Sequence, residues 1–342
     1  MRSRSPRTFA ALAAASALLA LPAAAQATLA YVKVPLHSVV YTAADNGSGK
    51  TRIGRGTAPR VSPDGKQIVY LHEGKGRVQD MKLAPARGGA GKSLMKNWRI
   101  SFYLAFSPDS SKVAALRGPE VGTHKLVVLD LSTGAQRTVA SGTFSGFSFS
   151  PDGSELVYAR APRDDYPLPS DVYRVSASGG KPARLTKDHK SQDPLWGPDG
   201  KIVFVKQLGG KQRRYGPKNE LFTMNADGSR ARRLTHTNVD PLLLGLFPTE
   251  LSADGSRLLA EFEGQDTSYA VAVNPKTGAQ RPIDKPVENG FVGAALSGDG
   301  STVLGSTGGF DPGAGHDVAT VPYAGGKVKV LVKNAFEPDW SR

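Results

Sequence analysis

One pattern occurs four times in this chain with little change: VSPDGKQIVY (61–70), FSPDSSKVAAL (106–116), FSPDGSELVY (149–158) and WGPDGKIVF (196–204). Three weaker copies follow: LSADGSRLLA (251–260), LSGDGSTVLG (296–305) and PDWSR (338–342). The Ser or Gly that begins each turn recurs at intervals of 43 to 55 residues. Such a period predicts one supersecondary unit that repeats along nearly the whole chain.

The stretch 192–235 shows how one unit is built. A short extended run ends at Trp196, a Gly-Pro-Asp-Gly turn follows, and Ile202–Val205 is rich in β-branched and aromatic residues. A third strand is predicted at Glu220–Met224, and an Asn-Ala-Asp-Gly turn leads to a fourth at Arg230–Leu234. Four short antiparallel strands joined by tight turns are typical of a propeller blade, and the chain shows no capped helical period.

The repeats predict an all-β fold, a seven-bladed β-propeller of four-stranded antiparallel blades. The last copy, 338–342, supplies only a first strand, and the missing strands are found near the N-terminus, beginning with Leu29–Val34. We therefore expect the C-terminal strand to pair with the N-terminal strands and close the ring, which removes exposed sheet edges. Six blades with a loose N-terminal hairpin is the alternative, and it leaves Trp340 without an obvious partner.

Residues 1–27 resemble a secretory signal peptide. Three Arg precede the apolar stretch Phe9–Leu21, and Ala25-Gln26-Ala27 has the form of a cleavage site. No later segment is apolar enough to span a membrane, and the chain has no Cys for a lipid anchor or a disulfide. We expect cleavage near Ala27, a single propeller domain at 28–342, and a protein that is secreted or periplasmic in a bacterial cell envelope, without a stable transmembrane anchor.

The repeats resemble those of the TolB-like β-propellers, a WD-like repeat family with the consensus x-P-x-W-S-P-D-G, an apolar strand and a later L-T. Pro59 and Pro194 occupy the first consensus Pro, whereas Ala253 and Gly298 replace the turn Pro in the later units. The resemblance implies an exported or periplasmic propeller used for protein–protein contact. Between residue 28 and the first blade, the chain has no room for the separate N-terminal domain that TolB carries. Related propellers serve as accessory domains of peptidases and as oligogalacturonate lyases.

Several sequence features suggest chemistry but favour structural interpretations. The chain contains no G-x-S-x-G nucleophile elbow, which a peptidase domain would need. The segment Asn46–Thr51 resembles a phosphate-binding loop, but its leading Gly is replaced by Ala44 and no helix follows, so a hairpin turn is predicted. The Asp of each turn recurs once per blade, which indicates stabilisation of the turn rather than a carboxylate site.

Two loops that precede first strands carry His and Asp, the residue types that bind divalent metals. The first contains His189 and Asp193, and the second contains His236 and Asp240. Loops of this type line the central opening of a propeller, so the four side chains are candidates for a shared site. Their spacing matches no known metal motif, so we expect polar lining of the opening, no metal and no cofactor.

Two longer loops are predicted between second and third strands of adjacent blades, on the same face as the central opening. They carry polar and aromatic residues that binding surfaces favour, namely Asp164, Asp165, Tyr166, Arg213, Arg214 and Tyr215. The sequence therefore predicts a non-catalytic protein-binding or scaffolding propeller in the cell envelope. The alternative is an enzyme, a metal-dependent polysaccharide lyase-like propeller.

The net charge of +14 and pI near 9.8 bear on the partners. An anionic polymer or surface is a second candidate partner beside a protein of the envelope. The Lys and Arg are spread along the chain, which is typical of a soluble surface. Nucleic acid is not expected for an exported protein, and a monomer is expected.

Overall fold

A computed structural model describes residues 27–33, 38–73, 79–98, 100–118, 122–162, 168–209, 217–237, 244–264, 267–284, 290–308 and 315–341. Within these ranges the regular structure consists of β-strands, and none of the residues is helical. The same ranges accordingly contain no helix with the length and apolarity needed to cross a bilayer. The prediction of an all-β chain is confirmed.

The strands form five hydrogen-bonded sheets. The first has the order β27-β1-β2-β3, with β1 Thr28–Lys33, β2 Val39–Ala44, β3 Thr51–Arg55 and β27 Phe336–Trp340. The second runs β4 to β7: Thr57–Val61, Gln67–Glu73, Gln79–Pro85 and Lys92–Trp98. A third, of four strands, runs β23 to β26: Val292–Leu296, Thr302–Ser306, Val318–Pro322 and Lys329–Val332.

Two larger sheets complete the fold. A seven-stranded sheet runs β8 to β14: Ile100–Phe106, Lys112–Arg117, His124–Asp130, Gln136–Phe149, Glu155–Ala161, Asp171–Ser176 and Ala183–Arg184. An eight-stranded sheet contains β15 to β22: Ser191–Trp196, Lys201–Leu208, Lys218–Asn225, Arg232–Arg233, Gly245–Leu251, Leu258–Glu263, Ser268–Val273 and Gln280–Pro282.

Strand β11 departs from the sequence expectation. The four-strand pattern predicts that one unit ends with its own fourth strand before the next unit begins its first strand, but here one strand of 14 residues pairs with β10 through its first half and with β12 through its second. The change of partner occurs at Gly142, whose φ of +154° disfavours other residues. A Cβ there would lie 2.6 Å from the Arg160 side chain, which would have to move to make room for it.

The repeated turns join first to second strands through one hydrogen-bond pattern. In the turn after β4 the Ser62 hydroxyl donates to Asp64 Oδ1 at 2.6 Å and accepts from the Gln67 backbone N–H at 2.9 Å. Ser150 and Asp152 repeat both contacts in the turn after β11. The hydrogen bonds that Ser150 and Ser154 donate to the Asp152 carboxylate lower its pKa to about 2. The prediction that these Asp residues stabilise turns is confirmed.

The first strands of successive groups pack side by side. Contacts run from β4 to β8, β11, β15, β19, β23 and β27, and β27 in turn contacts β4. Strand β27 also pairs with β1 in an antiparallel register that places Leu29 opposite Trp340 and Ala30 opposite Asp339. The two ends of the described chain therefore meet in one sheet.

Apolar side chains fill the spaces between neighbouring sheets. Phe291, Val303 and Ala319 of one sheet are buried against Leu259 and Ala270 of the next. Because the inner strands of each sheet are covered on both faces, several of them, such as β9, β12 and β16, contain continuous apolar runs rather than alternating ones.

Turn glycines place adjacent groups in close contact. Gly300 has a φ of +66°, and a Cβ at this position would lie 2.8 Å from the Ser252 Cβ of the preceding turn. Gly200 has a similar φ of +76° but open space around it.

We expect Gly200→Ala to cost about 1 kcal/mol, the cost of a left-handed backbone for a residue with a Cβ. Gly300→Ala is expected to cost about 1–3 kcal/mol more because the added methyl group overpacks the turn contact. Urea unfolding of the two variants measures the difference. Equal losses of stability would show that the turns do not constrain one another.

Candidate functional site

The first strands contact one another in a series that leads from β4 back to β4, and each carries one equivalent residue near the centre of this series, four positions before the start of the following turn. The residues at this position are Ala58, Tyr103, Gly146, Asp193, Pro248, Gly293 and Glu337. The pairing of each first strand shifts register at or beside this position, which is the mark of a β-bulge. Three residues with side chains adopt positive φ there: Ala58 (+49°), Asp193 (+44°) and Glu337 (+49°).

Asp193 and Tyr103 lie on the same side of this centre. The first strand between theirs carries Gly146 at the equivalent position, so no side chain separates them. A Cβ on Gly146 would lie 2.9 Å from Asp193 Oδ1, so the carboxylate occupies the space that a side chain there would fill. The Asp193 backbone N–H donates to Ser145 Oγ at 3.2 Å. The Tyr103 side chain is 46% exposed, whereas most large apolar side chains of the described residues are buried.

Glu263, at the end of β20, faces the same sector. Burial, with a further contribution from the charge of Glu263, raises the pKa of Asp193 to about 8. Burial raises the pKa of Glu263 as well. Although the residue is 46% exposed by area, the protein that surrounds its hydroxyl group removes water and, together with the charges of Asp193 and Glu263, raises the pKa of the Tyr103 phenol. The three groups are thus close enough to interact electrically, in surroundings that disfavour charge.

Glu261 lies two residues before Glu263 on the same face of β20 and is 5% exposed. Its Oε2 accepts a hydrogen bond from the Gly293 backbone N–H at 3.3 Å, and its Oε1 has no partner. Burial raises the pKa of Glu261 to about 9. We call Asp193, Glu261 and Glu263 the acidic cluster.

Other acids of the first strands connect neighbouring strands. Glu337 accepts a hydrogen bond from the Ala58 N–H at 2.6 Å, and Asp339 accepts one from the Val61 N–H at 2.7 Å. Glu250 accepts one from the Leu296 N–H at 2.5 Å. First strands have no ladder with one another, so these carboxylates satisfy backbone donors that face the neighbouring strand.

His189 does not join Asp193. Its Nδ1 lies 2.9 Å from Oδ2 of the buried Asp171, and its backbone N–H donates to Asp171 Oδ1 at 3.1 Å. Arg184 and Thr186 bind the same carboxylate. His189 therefore belongs to an anchor of the loop before β15, and the expectation of a His189–Asp193 site is not supported by the geometry.

The same anchor recurs in the next group around Glu220. Arg233 and Thr235 bind this buried carboxylate as Arg184 and Thr186 bind Asp171, and the Thr237 N–H donates to it at 2.8 Å. His236 lies between these two threonines and is exposed. Among the described residues, no three His, Cys, Asp or Glu side chains are grouped so that they could hold a metal ion.

The other predicted site residues lie outside the described part of the chain. They are Asp164, Asp165, Tyr166, Arg213, Arg214, Tyr215 and Asp240. Of the sequence-predicted set, the structure thus places Asp193 at the centre of the fold, His189 in a loop anchor and His236 at the surface.

Sequence reasoning missed Tyr103, Glu261 and Glu263. Tyr103 could have been found from the sequence, because it occupies the same position as Asp193 when the repeats are aligned on the turn. The two Glu residues lie on a second strand, whose position relative to the centre depends on packing between sheets.

The chain is similar to several known proteins. It is 30% identical over 144 residues to dipeptidyl-peptidase 5 of Porphyromonas gingivalis, a match that covers 41% of this chain and 20% of that protein. The chain therefore spans about a fifth of that relative. No family model matches.

Among solved structures, TolB from Acinetobacter baumannii superposes with a TM-score of 0.57 at 16% identity, covering 92% of this chain and 82% of that one. The β-propeller domain of the trilobed protease from Pyrococcus furiosus gives 0.64 at 15% identity, over 90% and 94% of the two chains. An oligogalacturonate lyase in complex with manganese gives 0.58 at 16% identity, over 90% and 85%. The chain therefore has the fold of the TolB-like β-propellers.

The raised pKa of Asp193 has a measurable consequence for stability. Above the ordinary pKa of an aspartate the unfolded chain ionises while folded Asp193 stays protonated up to about pH 8, so folding loses free energy as the pH rises through this window. Asp193→Asn is therefore expected to match the wild type at pH 4 and to exceed it at pH 8 by at least about 1.4 kcal/mol, the equivalent of one pKa unit.

Urea unfolding at both pH values tests this expectation. Asp284→Asn is the control, because Asp284 lies away from the centre with no hydrogen bond or ion pair in the described structure. An Asp193→Asn variant that is no more stable than the wild type at pH 8 would contradict the assignment.

Proposed function

We propose that this protein is an exported, non-catalytic propeller that binds a partner protein in the cell envelope. The observation that carries the proposal is Tyr103, a large aromatic side chain that is 46% exposed on a first strand and is close enough to Asp193 and Glu263 to interact with them electrostatically. Exposed aromatic side chains on a rigid scaffold are typical of binding sites. The TolB-like fold and the leader-like segment at 1–27 support an exported scaffold.

We also propose that the sheets form seven blades and that pairing of β27 with β1 closes the ring. The seven-stranded sheet then contains two blades that share β11, and the eight-stranded sheet contains two blades linked by the single parallel pair Asn219 and Gly245. Support comes from the contacts among first strands, which lead from β4 around to β27 and back to β4.

The remaining expectations from the sequence belong to the same proposal. Cleavage near Ala27 would release one propeller domain, 28–342, into the periplasm or the medium as a monomer. The net charge of +14 supports an anionic polymer or surface as an additional contact.

A metal-dependent lyase is the second candidate function. The structural likeness to an oligogalacturonate lyase in complex with manganese favours it. This candidate requires His189 or His236 to bind the metal, and His189 already contacts the buried Asp171. Metal that co-purifies with the wild type and is lost on His189→Ala or His236→Ala would favour the lyase.

Ring closure can be tested at Trp340, which is buried and donates its indole N–H to the Leu296 carbonyl at 2.8 Å. Trp340→Ala is expected to cost about 3–5 kcal/mol and Trp340→Phe about 1 kcal/mol. If the pairing with β27 closes the ring, hydrogen exchange at Leu29 and Ala30 is faster in the Ala variant. Unchanged exchange in β1 would argue against closure.

The binding role can be tested with a photo-crosslinking amino acid, p-benzoylphenylalanine, placed at position 103 of the full chain in the cells that produce it. We expect one recurrent crosslinked protein. Position 330 is the matched control, because Val330 is 42% exposed but lies on the outer strand β26.

The crosslinking pattern tests the proposed binding site. A partner captured from position 103 and absent from position 330 supports a binding site at the centre. Crosslinks of equal pattern at both positions, or none at either, would contradict the proposal.

A further inference from the structure

The expected cleavage point lies at the place where the two ends of the chain meet. Cleavage after Ala27 breaks the peptide bond to Thr28, and Thr28 is the first residue of β1, the strand that pairs with β27. Thr28, Gly65 and Ser341 contact one another here, and we call these three residues the seam. The bond to be cut therefore directly precedes a folded sheet.

Hydrogen bonds hold Thr28 in the seam. Its backbone N–H, which contains the nitrogen of the bond to be cut, donates to Ser341 Oγ at 2.9 Å. Its carbonyl accepts the Ser341 backbone N–H at 2.9 Å, and its hydroxyl donates to the Gly65 carbonyl at 3.0 Å. Both polar backbone atoms of Thr28 are thus bonded to a residue 313 positions later in the chain.

The residues on both sides of this bond are also covered. Ala27 is half-buried and lines a cavity of about 610 Å³ together with Trp340 and Ser341. Leu29 is fully buried, opposite Ala43 of β2 on one side and Trp340 of β27 on the other. A protease needs an accessible, extended stretch of backbone, and here the backbone that follows the bond is already paired at both edges.

The chemistry of cleavage makes the same demand. Hydrolysis adds one water molecule: its oxygen bonds to the Ala27 carbonyl carbon, the bond to the Thr28 nitrogen breaks, and the products are an Ala27 carboxylate and a Thr28 ammonium group. A protease must deliver a proton to the Thr28 nitrogen as it leaves. It therefore has to reach an atom that lies within the seam.

We propose that closure of the ring protects the Ala27–Thr28 bond, so that removal of residues 1–27 must precede the pairing of β1 with β27. A chain that closes its ring first keeps the apolar stretch Phe9–Leu21, whereas a chain that is cut first is released. The inference rests on the proposed cleavage and ring closure, and it gives the order of the two events.

The test compares two full precursors, residues 1–342 and a matched variant, as substrates of a purified signal peptidase. The variant carries the spacer Thr-Gly-Ser-Gly-Ser-Gly between Ala27 and Thr28, which keeps Ala and Thr at the cut and moves the bond away from the seam. Mass spectrometry measures the loss of residues 1–27 from each folded precursor. We expect the wild-type precursor to be cut at least about tenfold more slowly, because the end of β1 must first open.

A second arm controls for recognition by the enzyme. Both precursors are unfolded in urea and diluted into the same peptidase, so that they meet the enzyme before the ring has closed. We expect both to be cut at the same rate in this arm. A spacer variant that is cut faster here as well would overturn the inference, because the spacer would then act on recognition and not on access.

Ser341→Ala tests the seam itself, because it removes the acceptor of the Thr28 N–H. We expect the folded Ser341→Ala precursor to be cut about three- to tenfold faster than the wild type, the equivalent of one hydrogen bond. Ser150→Ala is the matched control, because it removes the corresponding hydroxyl from the turn after β11 and leaves the seam intact. Equal acceleration by both variants would assign the protection to overall stability and contradict the role of the seam.

The outcomes separate this inference from the proposal on which it rests. Equal rates for the two folded precursors would overturn the inference and leave the cleavage site standing. An exported protein whose first residue is not Thr28, or a precursor that is not cut even from the unfolded state, would remove the proposed cleavage and the inference with it. The crosslinking result at position 103 depends on neither, so the binding role is judged separately.

Discussion

A serine hydroxyl at the start of five of the six described repeated turns, all but the one that begins at Gly197, fixes the geometry on which much of the fold depends. It donates to the Asp two residues later and accepts the backbone N–H five residues later, as Ser62 does with Asp64 and Gln67. These bonds align the first and second strands of one group. The left-handed Gly of the turn then packs against the turn of the preceding group, as Gly300 does against Ser252. The same turn motif therefore fixes the geometry of its own hairpin and the packing of that hairpin against the preceding group.

Packing of first strands around a centre creates a second constraint. These strands cannot form ladders with one another, so some backbone N–H groups would remain unpaired. Carboxylates on the neighbouring strand accept several of them, including Glu337, Asp339 and Glu250. An acid at the centre of this protein therefore has one of two environments. It either accepts a hydrogen bond from a backbone amide of the next strand or, like the side chains of Asp193 and Glu263, has no such bond within the described residues.

The sequence predicted much of the fold but little of the site. The strand pattern, the turns and the meeting of the two chain ends follow from copies that repeat every 43 to 55 residues. The site was assigned to His189, Asp193, His236 and Asp240 on the basis of residue type. Of the three that the structure describes, His189, Asp193 and His236, only Asp193 lies near the centre, because Asp171 holds the His189 ring and His236 is exposed. The equivalent positions of His189 and His236 in their loops did not predict where each side chain points. That direction depends on the buried carboxylate that holds the loop.

The sequence by itself determined the all-β architecture, because turn chemistry and short apolar runs act over a few residues and recur in each copy. It also determined which acids stabilise turns, because the partners of Asp64 and Asp152 lie within two residues. Only the tertiary structure decided that the Asp193 carboxylate occupies the space beside Gly146, since the two residues lie on different strands 47 residues apart in the chain. That arrangement depends on the packing of one sheet against the next. Such packing leaves no local pattern in the chain.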